Sequence, residues 1–350
     1  MVVMSEAFKQ YVKILGRGQR AGRCLSQEEA FDAFNLLLSQ QCTAEQRGAF
    51  LMLLRVREET PEELAGFLSA IRRYTNKDMQ YVKADLDVGC YAGKRRHLPW
   101  FLLSAMALAQ NGYRIFMHGT QEPDSKRLYL DEVFKSLRLP MAFSPQQAEV
   151  FLDNSGLAYL DLEHINPELN QLIQLREQLG LRSCANTLAR MLRPSCCQSS
   201  FQGVFHRDVD IKHATIGQLL GEPNLLCFRG EGGEVELNPE REVVVYRVNG
   251  QKVSKELVPP LFKGWQVKSK ILDPSELMRV YTMSTENSYA YAAITGTAAL
   301  MLSAISGSTW AESIHDAQEI WRNRDRSAFI KQNTLITEIA REQQCINHFH

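Results

Sequence analysis

What the chain lacks narrows its chemistry first. Its 350 residues include eight cysteines, but no Cys-x-x-Cys pair and no histidine at zinc-ligand spacing from one, which removes the common structural zinc modules. Cys196 and Cys197 are adjacent, a poor geometry for a mutual disulfide, and the others are scattered at apolar positions such as Cys184 and Cys227. Buried thiols in a reducing cytosol are therefore expected, and a cytoplasmic location with them. The start lacks a basic n-region followed by an apolar h-region. No apolar run approaches the ~20 residues of a membrane span. Neither charge is in excess: 40 Lys and Arg balance 40 Asp and Glu, and the pI is near 7.1. That argues against a protein that coats nucleic acid through overall charge, so any polyanion site must be local. There is also no Gly-x4-Gly-Lys-Ser/Thr loop, no Gly-x-Ser-x-Gly elbow and no Ser–His–Asp order, which disfavours NTPase and hydrolase chemistry.

What is present reads as a soluble globular chain, 45% hydrophobic and 23% charged, long enough to bury a core without disulfides. Residues 1–80 read as a small all-helical domain. Helical spacing runs over residues 7–15, 27–38, 44–56 and 61–74. Ser26, Thr43 and Thr60 precede the last three of these, each followed by early carboxylates. From residue 81 to 326 the pattern becomes α/β, with short apolar strands predicted at 85–88, 113–117, 156–160, 201–205, 224–228 and 242–248 alternating with helices. This points to a central, mostly parallel sheet. The apolar stretch 288–303 reads as a core helix, and residues 327–350 as a terminal helix or tail.

The stretch with most chemical content is Gly89-Cys90-Tyr91-Ala92-Gly93-Lys94-Arg95-Arg96-His97. It lies between a predicted strand and a predicted helix. Such a turn seats phosphate, because backbone N–H groups and the positive helix end face it. Two glycines and the cations Lys94, Arg95 and Arg96 suit anionic oxygens, since arginine grips phosphate with paired hydrogen bonds and lysine adds a point charge. Arg17, Arg20 and Arg23 form a second arginine-rich loop, and Arg207 and Lys212 flank a helix after the fourth strand. These five are expected to support the phosphate contacts of the turn; a solvated surface role is the alternative. Glu122 and Asp124, after His118-Gly119, read as ordinary hydrogen-bonding residues rather than metal ligands.

The segment Asn166-Pro167-Glu168-Leu169-Asn170, running through Arg176, Leu179-Gly180, Arg182, Asn186 and Leu188 to Arg193-Pro194, resembles the corresponding segment of anthranilate phosphoribosyltransferases, the glycosyltransferase family 3 and class II nucleoside-phosphorylase group. Met117-His118-Gly119-Thr120 stands where that family has Lys-His-Gly-Asn, and Gly230-Glu231-Gly232-Gly233-Glu234-Val235-Glu236 near its acidic turn. The resemblance spans roughly residues 5–325. It implies a homodimer through the helical domain, phosphoribosyl diphosphate as donor, and Arg176, Arg182 and Asn186 at the acceptor. It also implies magnesium, for which Glu234 and Glu236 are weak candidates.

The departures from the family pattern are specific. The family's Gly-Thr-Gly-Gly-Asp-Gly turn is here Gly89-Cys90-Tyr91-Ala92-Gly93-Lys94, with bulk where backbone must approach phosphate. The following Asn-x-Ser-Thr becomes Pro99-Trp100-Phe101-Leu102, the family lysine becomes Met117, and the acidic pair is split by Val235. These changes resemble the YbiB-type branch, which keeps the fold and dimer and is associated with nucleic-acid binding without sequence preference. Two functions are thus expected as rivals. One is non-specific nucleic-acid binding through a basic cleft, with Gly89, Gly93, Lys94, Arg95, Arg96, His118 and Gly119 at the phosphates. The other is a magnesium-dependent phosphoribosyl or glycosyl transferase acting on anthranilate or another acceptor. A scaffold that keeps only the dimer surface is the third possibility.

Overall fold

Three helix starts of the N-terminal module are fixed by hydroxyl caps. The computed structural model describes residues 2–18, 21–263, 272–283 and 287–327; Arg20 and the expected helix or tail over 328–350 lie outside them. In the N-terminal module, α1 (Val2–Gly16), α2 (Gln27–Leu38), α3 (Ala44–Arg57) and α4 (Pro61–Tyr74) follow the sequence spacing. Ser26, Thr43 and Thr60 each form a reciprocal capping box with Glu29, Gln46 and Glu63, a motif whose loss costs about 1 kcal/mol per cap. The buried Glu63 carboxylate also accepts from the Leu25 amide at 2.8 Å. Helices α2 and α4 approach closely at Gly66, where a Cβ would stand 2.2 Å from the Gln27 carbonyl.

The α/β domain is built on a seven-stranded sheet: β1 (Leu86–Cys90), β2 (Ile115–Gly119), β3 (Leu157–Asp161), β4 (Ser199–Val204), β5 (Asn224–Arg229), β6 (Val243–Asn249) and β7 (Lys252–Val258). The spatial order is β3-β2-β1-β4-β5-β6-β7. The first five are parallel, and β6 and β7 close one edge as an antiparallel hairpin. The hairpin strand β7 is not in the sequence expectation. Its residues are mostly exposed, so it carries no apolar run. The central strands β1 and β2 are buried along their whole length, as parallel strands covered on both faces must be.

One sheet face packs on α5 (Phe101–Gln110) and on the helices Ser288–Ser306 and Trp310–Asn323. The helix Ser288–Ser306 is long and apolar enough to cross a membrane, with mean hydropathy 1.3, yet 83% of that apolar stretch is buried inside the protein. It is a core helix. The other face packs on residues 162–192, whose short helices share one apolar core with α1–α4. Helical module and sheet are therefore fused through that core. Two polar ties reinforce it: Arg72 pairs with Glu222 at 2.6 Å, and the Lys212 ammonium donates to the Glu59 carbonyl at 2.9 Å. Cys24, Cys42, Cys90, Cys184, Cys196, Cys197 and Cys227 are free thiols; Cys196 is exposed and Cys24 and Cys42 are half-buried, so not every thiol is interior.

Candidate functional site

The C-terminal ends of β1, β2 and β4 converge where an open parallel sheet holds its ligand. The chain leaves β1 at Cys90 and turns through Tyr91–Pro99 into the N-terminus of α5. Gly93 takes a φ of +66°, which aims the Ala92 and Gly93 amides to the same side. Those amides are occupied from within: the Glu234 carboxylate oxygen Oε1 accepts from Ala92 N at 2.7 Å and Gly93 N at 2.5 Å. The Glu236 carboxylate accepts from Phe101 N at 3.1 Å, at the start of α5, and from the Lys94 ammonium at 2.7 Å. Both carboxylates come from the segment after β5, and Val235 between them is fully buried. A turn whose backbone geometry suits an anion thus holds the chain's own.

This corrects two expectations. Lys94 does not face an outside phosphate; its side chain is 2% exposed, and its ammonium also donates to the Glu231 carbonyl at 3.2 Å. Glu234 and Glu236 do not form a metal site. Both oxygens of Glu236 are engaged, and Glu234 keeps only Oε2 unpartnered, beside a buried ammonium. Magnesium needs several oxygen ligands in octahedral array and tolerates no cation among them, so these residues do not fit it. Among the described residues no group of three or more His, Cys, Asp or Glu could hold a metal. Burial pushes the Glu236 carboxyl up to about 7 against the pull of Lys94, and burial raises Glu234 against the pull of Arg190 and the two amides.

The acceptor candidates do come together, on a carboxylate. Glu122, its side chain 1% exposed, accepts from Arg176, from Arg182 at 2.6 and 2.8 Å, and from Asn186 at 2.6 Å. The arrangement is what an aromatic acid's carboxylate would require, and an internal residue supplies it. The resemblance placed these three residues at an acceptor; here they serve a structural anion.

His118 is wholly buried and is not a surface phosphate ligand. It stands between Asp87 (Nε2 to Oδ1, 3.0 Å) and the Tyr91 hydroxyl (Nδ1, 2.7 Å), and Ser195 holds the other Asp87 oxygen at 2.5 Å. The Tyr91 hydroxyl can either donate to Nδ1 or accept from it, so the ring is held on both sides. Gly119 is needed for packing, since a Cβ there would meet the Cys90 carbonyl at 2.3 Å; at Gly89 it would meet that of Arg190 at 3.0 Å.

Arg95 and Arg96 are exposed at the turn. The structure adds two arginines that the sequence reading passed over. Arg127 donates to the carbonyls of Ala92, Gly93 and Gly232 at 2.9, 3.1 and 3.2 Å. Arg190, partly buried, has an Nε with no hydrogen-bond partner. Burial lowers the Arg127 pKa first, and the charges of Arg182 and Arg95 lower it further. Arg190 is lowered by burial and by Arg182, while Glu234 opposes the shift. Arg95, Arg127, Arg182 and Arg190 therefore share one electrostatic environment with Glu122 and Glu234. No sequence pattern marks Arg127 or Arg190, because each is separated from the turn in sequence and brought near it only by the fold.

The other candidates lie elsewhere or are engaged. Arg17 is exposed in the loop after α1. Arg23, in the same loop, is held by Glu29 through two 2.6 Å bonds. Lys212 is half-buried on the Glu59 carbonyl. Arg207 is exposed in the loop after β4 and lines a cavity of about 250 Å³ with Arg229, Arg241, Asp208, Asp210 and Glu242 among its walls.

Residues 9–75 match the glycosyl transferase family helical bundle domain, and residues 101–323 match the glycosyl transferase family a/b domain. The chain is 28% identical to an anthranilate phosphoribosyltransferase of Bacillus mycoides (strain KBAB4), over 74% of this chain and 75% of that protein. It is 30% identical to an uncharacterized protein of Aquifex aeolicus (strain VF5), over 70% and 74%. Among solved structures, anthranilate phosphoribosyltransferase from Thermus thermophilus superposes with a TM-score of 0.75 at 20% identity, covering 93% of this chain and 98% of that one. The yeast enzyme from Saccharomyces cerevisiae, solved in complex with phosphoribosyl diphosphate and magnesium, gives 0.73 at 17%, covering 94% and 98%. With both domains matched in order and the bundle and mixed sheet reproduced, this chain belongs to the glycosyl transferase family of anthranilate phosphoribosyltransferase-like proteins.

Proposed function

We propose that this family member is a polyanion-binding protein rather than a transferase, a degenerate relative of the YbiB type that holds nucleic acid by its phosphates. One observation carries the reading: Glu234 occupies the Ala92 and Gly93 amides, while Arg95 and Arg96 stand exposed on the same turn. A transferase needs that seat for a pyrophosphate leaving group, with charge stabilisation ready at the reacting sugar. Here a carboxylate sits in it, Lys94 answers Glu236, and a second anion seat is closed by Glu122. Cations outside the filled seats are left for a ligand that approaches from solvent. Phosphate contacts position without specifying sequence, and a homodimer would present the arginine face twice.

The experiment is a fluorescence-anisotropy titration with single- and double-stranded oligonucleotides at several salt concentrations, on the wild type and on the Arg95→Ala/Arg96→Ala double variant. Affinity should fall steeply with salt, and the double variant should lower the slope of log K against log salt by about 1.5. Salt-insensitive binding, or an unaffected double variant, contradicts the proposal.

The rival transferase reading draws on the fold shared with the yeast enzyme solved with phosphoribosyl diphosphate and magnesium. It requires Glu234 to leave both amides before a donor binds, and a metal held by other groups. Pyrophosphate release with a candidate acceptor, abolished by Arg182→Ala, would favour it.

A further inference from the structure

Phe205 is the first residue beyond β4 and is 52% exposed. A lone exposed aromatic is ordinary on a protein surface; its surroundings give this one meaning. It packs against the loop that fills the anion turn: a Cβ placed on Gly233, next to Glu234, would stand 2.9 Å from the Phe205 Cβ and 3.4 Å from that of Ala92. Gly232 and Gly233, with φ of +70° and +88°, bring the loop under Phe205 without a side chain between them. Arg127 binds the same loop through Gly232 and the turn through Ala92 and Gly93. The His206 ring stands at 86° to the phenyl ring with centroids 5.0 Å apart, and Arg207 follows, exposed. An open aromatic surface therefore stands beside the loop that Arg127 holds, with Arg207 two residues further on.

The charges nearby give the site a direction. Beside Glu122 a cavity of about 450 Å³ carries Asp131, Asp161 and Glu163, which repel phosphate. On the Phe205 side the loop leads instead to the cavity that contains Arg207, Arg229 and Arg241, with Asp208, Asp210 and Glu242 tempering them. The Phe205 side therefore lacks the excess negative charge that disfavours the Glu122 side.

We propose that Phe205 is a stacking platform for an unpaired base, so that the ligand of this face is single-stranded nucleic acid. The inference rests on the polyanion reading above. Every base has a π-face, so stacking adds affinity without reading sequence, and the bases of an intact duplex are already stacked on one another.

The test compares three probes of equal length by fluorescence anisotropy: oligothymidylate, the same backbone with abasic sites, and a duplex. Wild type, Phe205→Ala and Phe205→Trp are titrated with each. Phe205→Ala should weaken oligothymidylate roughly 5- to 100-fold while leaving the abasic strand and the duplex unchanged, and Phe205→Trp should retain wild-type affinity. Equal losses on the thymidylate and abasic strands, or no loss on either, overturn the stacking role while the polyanion reading stands. If the wild type binds none of the three probes, the polyanion reading falls and the platform with it.

Discussion

Replacing Glu234 with alanine empties the anion seat and asks what the turn was built around. The variant removes the acceptor of two short amide hydrogen bonds, 2.7 Å from Ala92 and 2.5 Å from Gly93, in a buried setting. Each unpaired buried amide costs ~1–3 kcal/mol. Part of that is offset, because the lost carboxylate was itself desolvated and left Oε2 without a partner. The net destabilisation should be about 2–4 kcal/mol, a fall in Tm of roughly 3–5 °C for a chain of this size. Glu234→Gln keeps an oxygen for both amides and should lose less. Inorganic pyrophosphate supplies the missing acceptor, so at ten times its Kd it should return about 1.4 kcal/mol to Glu234→Ala and less to the wild type at the same concentration, because its amides are occupied. Differential scanning fluorimetry with and without pyrophosphate reads both effects. A Glu234→Ala variant as stable as wild type, or pyrophosphate stabilisation equal in the two proteins, refutes the filled-seat argument.

Lys94→Met should cost ~3–5 kcal/mol in urea unfolding at pH 8, because it strands the buried Glu236 charge. Since Glu236 is pushed up to about 7, the cost should shrink at pH 5, where the carboxyl is neutral, and Lys94→Met/Glu236→Gln should recover most of it. His213 is wholly buried, with Nδ1 on Gln202 at 2.9 Å, and burial lowers its pKa from 6.5 to about 3. Between those values the unfolded chain holds the extra proton, so its contribution to stability is full above pH 6.5 and is lost as pH falls toward 3. His213→Gln should flatten the difference in unfolding free energy between pH 7 and pH 4.5 by about 2–3 kcal/mol. An unchanged pH slope contradicts the neutral buried ring.

The local signals in the chain were sufficient for most of the architecture. Hydroxyl caps at Ser26, Thr43 and Thr60 mark helix starts because capping is a contact between near neighbours. Apolar runs mark β1 to β6 because β1 to β5 are mostly buried and β6 buries Val243, Val245 and Val248. Strand β7 escapes both rules: it is exposed at the sheet edge, and its one signal is the Asn249-Gly250 turn, where Gly250 has a φ of +58°. Helix α5 begins at Phe101 rather than at Leu98, with Pro99 and Trp100 in the turn before it. The strand–turn–helix seat was legible as well. The fate of Lys94 was not, because its partner Glu236 lies 142 residues away. Arg182 and Asn186 likewise look like ligand contacts until the fold brings Glu122 to them from 60 and 64 residues off. Charge type is written locally, whereas charge satisfaction is settled by tertiary contacts.

The most direct measurement is calorimetric titration of the wild-type protein with phosphoribosyl diphosphate and magnesium, run beside an oligonucleotide at low salt. A seat closed by Glu234 predicts heat of binding with the oligonucleotide and none with the sugar diphosphate. Saturable phosphoribosyl diphosphate binding accompanied by pyrophosphate release would contradict it.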